Sequence, residues 1–425
     1  MSTSTFEQGK VNQMRIHVLP TKRFKTYAIS LYIGFPLSER HVTSVALTPF
    51  VLRRGTAAYP ETIRFRERLD ELYGTGFGFD VYKRGDYQIV QFRMDVINDR
   101  FVHTKESLLA ESFSFLGEAI TKPALENGVF RAKYVDGEKE TLRKRLEAIV
   151  NDKIRYAAER CIEEMCKNEP YRLHPLGNRA DIAPITAESL HSSYTQWLQS
   201  ACMDLYVVGD TSLQEVESLV ERHFGLRRDQ DATYAMRPGN IEVRDVNTVV
   251  ERMEVGQGKL NMGLRTSVTY GDDDYAAALM YNGILGGYPH SKLFANVREK
   301  ASLAYYASSR YDGHKGICAI QSGIEIGNYE RAVQIIREQL ASMQAGQISE
   351  LELSQTKAMI ANTLREIGDS AFETIAYYFN RELSGKERTT AQLLEQVERV
   401  TAEDIQRVAQ TFQLDTIYFL RDKGE

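Results

Sequence analysis

Residues 68–96 read RLDELYGTGFGFDVYKRGDYQIVQFRMDV, and residues 296–324 read NVREKASLAYYASSRYDGHKGICAIQSGI. Laid over one another at a spacing of 228, they place Glu71 on Glu299, Gly85 on Gly313, Ile89 on Ile317 and Val96 on Ile324. Each stretch has the pattern of a helix end, a strand, a turn and a second strand. Val90, Phe92, Met94 and Val96 alternate with mostly polar neighbours, the period of two of a half-buried antiparallel strand. A helix is expected after each hairpin, near 99–120 and near 328–345.

Working outward, ITAESL at 185–190 matches VTAEDI at 400–405, a spacing of 215. Thr186 and Thr401 stand as helix N-caps, and Asp404 at the third helical position comes close to a capping box. An apolar strand follows each helix, LYVVGD after Asp204 and TIYFLRD after Asp415. The smaller spacing means that the first copy carries 13 more residues between the two anchors. In the second copy Ser349 and Glu352 form a capping box, and Leu353, Ile360, Leu364 and Ile367 share one helical face. Two matches in the same order point to an internal duplication. The expected fold class is α+β, with two duplicated domains over 1–225 and 245–425, each a mostly antiparallel sheet with helices packed on one side. Residues 226–244 are the expected linker; RRDQDATYAMRPGN is polar and contains Pro238 and Gly239.

The composition suits such a chain. Among 425 residues, 43% are hydrophobic and 26% charged, which excludes extended disorder. Lys and Arg total 53 against 58 Asp and Glu, a net charge of −5, so there is no overall positive field for nucleic acid or an anionic membrane. No apolar run approaches the ~18 residues of a membrane span. The opening MSTSTFEQGKVNQMR lacks the apolar stretch of a signal peptide. Cys161, Cys166, Cys202 and Cys318 form no CxxC pair and are expected to be buried free thiols. A cytoplasmic location is the expectation.

The usual marks of catalysis are missing. His17, His41, His103, His174, His191, His223, His290 and His314 are scattered, and neither HExxH nor HxxEH occurs, so no single helix offers two imidazoles to one zinc ion. Gly74, Gly76 and Gly78 form GxGxG rather than GxGxxG, and they lead into a strand instead of a helix N-terminus that could hold phosphate. What remains is NGILGGYPHSKLFANVREKASLAYY at 282–306, where Gly286 and Gly287 interrupt apolar helix and Ser291 restarts it. By pattern alone Arg298 is an exposed helix residue and Tyr305 a half-buried strand residue.

This stretch resembles the second domain of the inverzincin metallopeptidases (insulinase, pitrilysin, mitochondrial processing peptidase). That family has a glycine-rich loop, an S-x-L-F helix, then V-R-E and L-A-Y. Here these are Gly286-Gly287, Ser291-Lys292-Leu293-Phe294, Val297-Arg298-Glu299 and Leu303-Ala304-Tyr305, with Tyr288 where a further glycine is usual. HPLGNRADIAPITAESL at 174–190 and the VGD strand extend the likeness over essentially the whole chain. Active members carry HxxEH five residues ahead of a Gly-Thr pair, with two imidazoles on zinc and the Glu as base. Anchoring on Gly55-Thr56 puts Ala46, Pro49 and Phe50 at those three positions, where no side chain has a lone pair to give. The family's third ligand is a distal Glu, and the resemblance sets Glu147 in RLEAIVND at its place; by pattern alone Glu147 is a solvated helix residue.

The resemblance is closest to the non-catalytic bacterial branch, the YmfF-like chains. It implies a clamshell chain without zinc of its own, paired with a homologous HxxEH-bearing chain in which zinc is expected. Arg298, Tyr305, Gly286 and Gly287 would handle the peptide substrate, and no residue of this chain alone would be catalytic. The alternative is a non-enzymatic homodimer that binds peptide or serves as a scaffold. A third reading, an independent enzyme with a site assembled from distant residues, is separated from these by metal content.

Overall fold

The computed structural model describes residues 5–226, 228, 231–236 and 242–424. Pro238 and Gly239 of the expected linker lie outside the described residues. In chain order the strands are β1 (Glu7–Val11), β2 (Met14–Pro20), β3 (Thr26–Pro36), β4 (Gly76–Arg84), β5 (Tyr87–Ile97), β6 (Leu125–Glu126), β7 (Val129–Phe130), β8 (Cys202–Gly209), β9 (Asn247–Arg252), β10 (Gly258–Arg265), β11 (Ala304–Asp312), β12 (Ile317–Ile324) and β13 (Gln413–Arg421). The helices are α1 (Val42–Leu52), α2 (Thr62–Glu71), α3 (Leu108–Thr121), α4 (Ala132–Asn151), α5 (Lys153–Met165), α6 (Ala187–Ser200), α7 (Leu213–Phe224), α8 (Tyr275–Asn282), α9 (Tyr329–Gln344), α10 (Glu350–Glu366), α11 (Ala371–Ser384), α12 (Thr390–Arg399) and α13 (Ala402–Ala409).

The quoted hairpins fold alike. β4 turns into β5 through a two-residue loop at which Gly85 takes φ 50°, and the matching hairpin is β11–β12. Shifting β4 by 228 residues lands on the bounds of β11. The sheets repeat the same order, β4-β5-β3-β8-β2-β1 in the first and β11-β12-β10-β13-β9 in the second, with one added strand in the first. The sense of pairing repeats as well. β8 runs antiparallel to β3 and parallel to β2, and β13 runs antiparallel to β10 and parallel to β9. This is the expected α+β duplication. The expected capping boxes also form, at Ser349–Glu352 and at Thr401–Asp404.

The chain divides into two compact units, and these exchange segments. Unit 1 comprises 1–146, 173–235 and 370–377; unit 2 comprises 147–172, 236–369 and 378–425. The unit boundary after Ala235 falls within the segment 226–244. In unit 1 one large core joins α1, α3, α6 and α7 to the sheet through residues such as Phe50, Phe92, Phe113, Leu190 and Val220. In unit 2 the sheet carries helix on both faces. Phe419 of β13 stacks on Tyr329 of α9 at 4.5 Å, whereas Tyr418 and Leu420 pack with Ala157 and Cys161 of α5. Side chains alternate along a strand, so α5, which comes from the first half of the sequence, lies on the face opposite α9. Gly263 permits this: a Cβ there would come within 2.5 Å of the Met165 sulfur.

β8 and β13 are central strands, and each carries a carboxylate at its third residue. Asp204 is fully buried and takes a fork from Arg15, with Nε to Oδ1 at 2.6 Å and Nη2 to Oδ2 at 2.7 Å; His17 Nε2 lies 3.1 Å from Oδ1. Asp415 accepts from Arg265 Nε at 2.7 Å, and Arg265 also donates to Glu169 at 2.6 Å. All four cysteines are free and buried, and burial pushes the Cys318 thiol up to about 12.

Burial raises the Asp204 carboxyl, but bonds from His17 and Arg15 more than offset this and leave it below the usual range. Its stabilisation is therefore complete above the unfolded value of about 4 and is lost as pH falls through the lowered native value. Asp204→Ala, which takes the shared acceptor from half-buried Arg15 and buried His17, is expected to cost about 3 kcal/mol in urea unfolding. The wild type's advantage over Asp204→Asn should shrink on acidification below about pH 4; an advantage independent of pH contradicts the assignment.

Candidate functional site

Unit 1 places Ala46, Pro49 and Phe50 on one face of α1, three and four residues apart. All three are buried, Ala46 and Phe50 completely. Pro49 removes the N–H that would have bonded Val45, and α1 ends three residues later. The Phe50 ring meets Phe79 of β4 edge-on at 4.7 Å, and the Arg145 guanidinium lies over the Phe50 ring at 4.7 Å. Arg53 covers Phe79 in the same way at 5.2 Å.

Helix α4 approaches this place with a positive charge. Glu138 and Arg145 are seven residues apart, two turns, and so share a face. Glu138 is almost wholly buried and ion-paired to Arg54 Nε. Glu147 is about 200° further round the helix than Arg145, is only half-buried and belongs to unit 2. The α4 residue that reaches Phe50 is therefore Arg145, a cation. The residues present do not fit zinc. A methyl, a pyrrolidine and a phenyl ring have no lone pairs for the ion, and a guanidinium repels it. Among the described residues, no three His, Cys, Asp or Glu side chains gather as a metal-holding group.

Unit 2 holds the other predicted residues. The helix that begins at Tyr275 widens to π geometry over Gly283–Gly287, and π geometry recurs over Phe294–Lys300. Such widening is frequent at functional sites because it re-aims side chains within a helix. Gly286 is needed for contact: a Cβ there would come within 2.5 Å of the Ser309 backbone nitrogen on β11. Gly287 is exposed at the end of the π turn, and Tyr288 after it is half-buried and stacks on His290 at 5.6 Å. His290 Nε2 lies 2.8 Å from Thr356 Oγ1.

Arg298 is on the second π segment, exposed, with its guanidinium 4.6 Å from the centre of the Phe294 ring. That stacking holds the side chain without consuming its hydrogen-bond donors. The chain then passes Ser302 at φ 51° and enters β11. The β11–β12 register breaks between Ala304 and Tyr306, so Tyr305 occupies a β-bulge, a device that turns a side chain away from the regular ladder. Tyr305 is 63% exposed. Tyr306, beside it, packs instead over Gly323, where a Cβ would meet its ring at 2.4 Å. Both β4 and β11 are edge strands of their sheets.

Comparison with known proteins finds relatives of the whole chain. Residues 184–360 match the model of the peptidase M16 inactive domain. Over 97% of this chain and 97% of that protein, the sequence is 41% identical to a Bacillus subtilis protein named probable inactive metalloprotease YmfF. The chain belongs to the M16 peptidase family. A conserved protein from Enterococcus faecalis V583 superposes with a TM-score of 0.92 at 32% identity, covering 99% of this chain and 100% of that one. An M16 inactive-domain protein from Pseudomonas fluorescens, at 16% identity and covering 99% and 98% of the two chains, shares the fold with a TM-score of 0.80. This M16 chain is an inactive, peptidase-like member.

Sequence reasoning missed Arg145. The signal was present, because the i, i+7 relation of Glu138 to Arg145 is the spacing of one helix face, and Glu147 falls off it. Purified chain loaded with zinc and then dialysed is expected to retain only substoichiometric metal by atomic absorption, and Arg145→Ala should not raise it. One tightly held equivalent in either protein would contradict this account of the site.

Proposed function

We propose that this chain is the non-catalytic, substrate-binding subunit of a heterodimeric zinc peptidase that cleaves unfolded peptides. Its partner is a homologous HxxEH-bearing chain that holds the zinc, and this chain supplies Arg298 and Tyr305 to that zinc site. The observation that carries the reading is a contrast within one molecule. The metal position in unit 1 is plugged with carbon, while the backbone of unit 2 is distorted twice, by a π turn and by a bulge, at the two side chains left facing solvent. Between the two, Ser302 is a non-glycine residue at φ 51°, a conformation that costs on the order of 1–3 kcal/mol. A scaffold with no task for Arg298 and Tyr305 gains nothing from it.

The chemistry suits the two residues. Zinc in the partner supplies an activated water when bound. The Tyr305 phenol donates a hydrogen bond to the peptide oxygen that gains charge during attack, and the Arg298 guanidinium orients neighbouring carbonyls through its fixed donors. An extended peptide can lie along an edge strand such as β11 or β4 and gain main-chain bonds that do not depend on its sequence. No helix among the described residues is long and apolar enough to cross a membrane. The four free, buried thiols accord with a reducing cytoplasm as the place of action.

In a co-expressed heterodimer, Arg298→Ala and Tyr305→Phe are each expected to lower peptide turnover by about 100-fold or more with little change in assembly. Turnover unaffected by both substitutions, with the heterodimer intact by size-exclusion chromatography, would sink the assigned role. A stable homodimer that binds peptide and recruits no HxxEH chain would place the protein among binding scaffolds instead.

A further inference from the structure

Unit 1 carries a local surplus of positive charge that the reading above does not use. A cavity of about 260 Å³ opens between the end of α1, α2, α4 and the start of β4. Arg53, Arg54 and Arg66 line it together with Thr62, Glu138 and Phe77. Arg145 brings a fourth guanidinium close enough to repel Arg53. Burial, and then the like charges of Arg145, Arg54 and Arg66 acting against the attraction of Glu138, lower Arg53 from its ordinary value. Glu138 is the one carboxylate among the lining residues, and it is engaged by Arg54. Arg53 and Arg145 rest on the rings of Phe79 and Phe50; among the described residues, neither they nor Arg66 has a carboxylate partner. In a chain of net charge −5, three lining guanidiniums against one carboxylate, with Arg145 nearby, make a pocket that favours an anion.

Two further observations specify which anion. Glu138 Oε2 is buried at the cavity and accepts no hydrogen bond among the described residues, a loss that a donor on the ligand would repair. Phe77 is the second residue of β4, and β4 is an open edge. A peptide added antiparallel to β4 ends beside Gly76 and Phe77, so its C-terminus arrives at the cavity. A parallel peptide would bring an ammonium to the arginines instead and be repelled.

We propose that this cavity binds the C-terminal carboxylate of an extended peptide, with the arginines holding its oxygens and Glu138 Oε2 accepting the N–H of its last residue. The assignment rests on the peptide-binding reading above and adds a polarity and an anchor to it.

The test uses the full chain and a short fluorescein-labelled peptide of Ser, Val and Ala, prepared with a free C-terminal carboxylate and as the C-terminal amide. Fluorescence anisotropy is expected to show the amide binding about 10- to 100-fold more weakly, the worth of charge-assisted bonds to a carboxylate. Arg66→Ala and Arg53→Gln should each shrink that ratio to about 3-fold or less while thermal unfolding stays unchanged. Arg66 is exposed on α2, so it carries the test if the Arg53 variant folds poorly. Equal binding of acid and amide overturns the carboxylate pocket and leaves peptide binding standing, whereas binding of neither peptide removes both. A phosphoserine-containing amide that binds more tightly than the free acid would assign the cavity to phosphate and overturn the proposal.

Discussion

The last strand of each repeated unit must return to the middle of its own sheet, and the rest of the architecture depends on that closure. β8 inserts between β3 and β2, and β13 between β10 and β9. Each pairs antiparallel on one side and parallel on the other. With the centre taken by a strand from far along the chain, the local hairpin is left at the rim. β4 and β11 become edges for this reason, and an edge is where another chain can be added. The buried carboxylate of Asp204 and the half-buried one of Asp415 sit in these returning strands and take arginine partners, so closure of the sheet also places these charges.

The face of α1 beside β4 shows how apolar packing and charge are combined. Phe50 and Phe79 meet edge to face, and Arg145 and Arg53 cap the rings. The interior gains aromatic contact while positive charge stays close to it. Pro49 interrupts the regular hydrogen bonding of α1 on the same face. In unit 2 the backbone is irregular instead, with π turns over Gly283–Gly287 and Phe294–Lys300 and a bulge at Tyr305.

Part of this site was legible from the sequence. The absence of lone pairs at Ala46, Pro49 and Phe50, and the spacing of Gly286, Gly287, Arg298 and Tyr305, are properties of residue type and order. The exposure of Tyr305 was not legible, since a residue between Ala304 and Tyr306 reads as an ordinary strand position until the partner register slips by one. Nor was the arginine cluster. Arg53, Arg66 and Arg145 come from three helices or helix ends, and each alone looks like a solvated surface residue.

The sequence by itself determined the duplication, the hairpin and cap positions, the α+β class and the missing donor set, because each of these is written in local periodicity, turn residues or side-chain chemistry. Tertiary structure alone decided which strands lie at the rim, which face of the second sheet receives α5, and which α4 side chain meets Phe50. Those outcomes depend on contacts between segments far apart in the chain, 95 residues for Phe50 and Arg145 and more for the strands and α5, and the pattern within a segment carries no information about its distant neighbour.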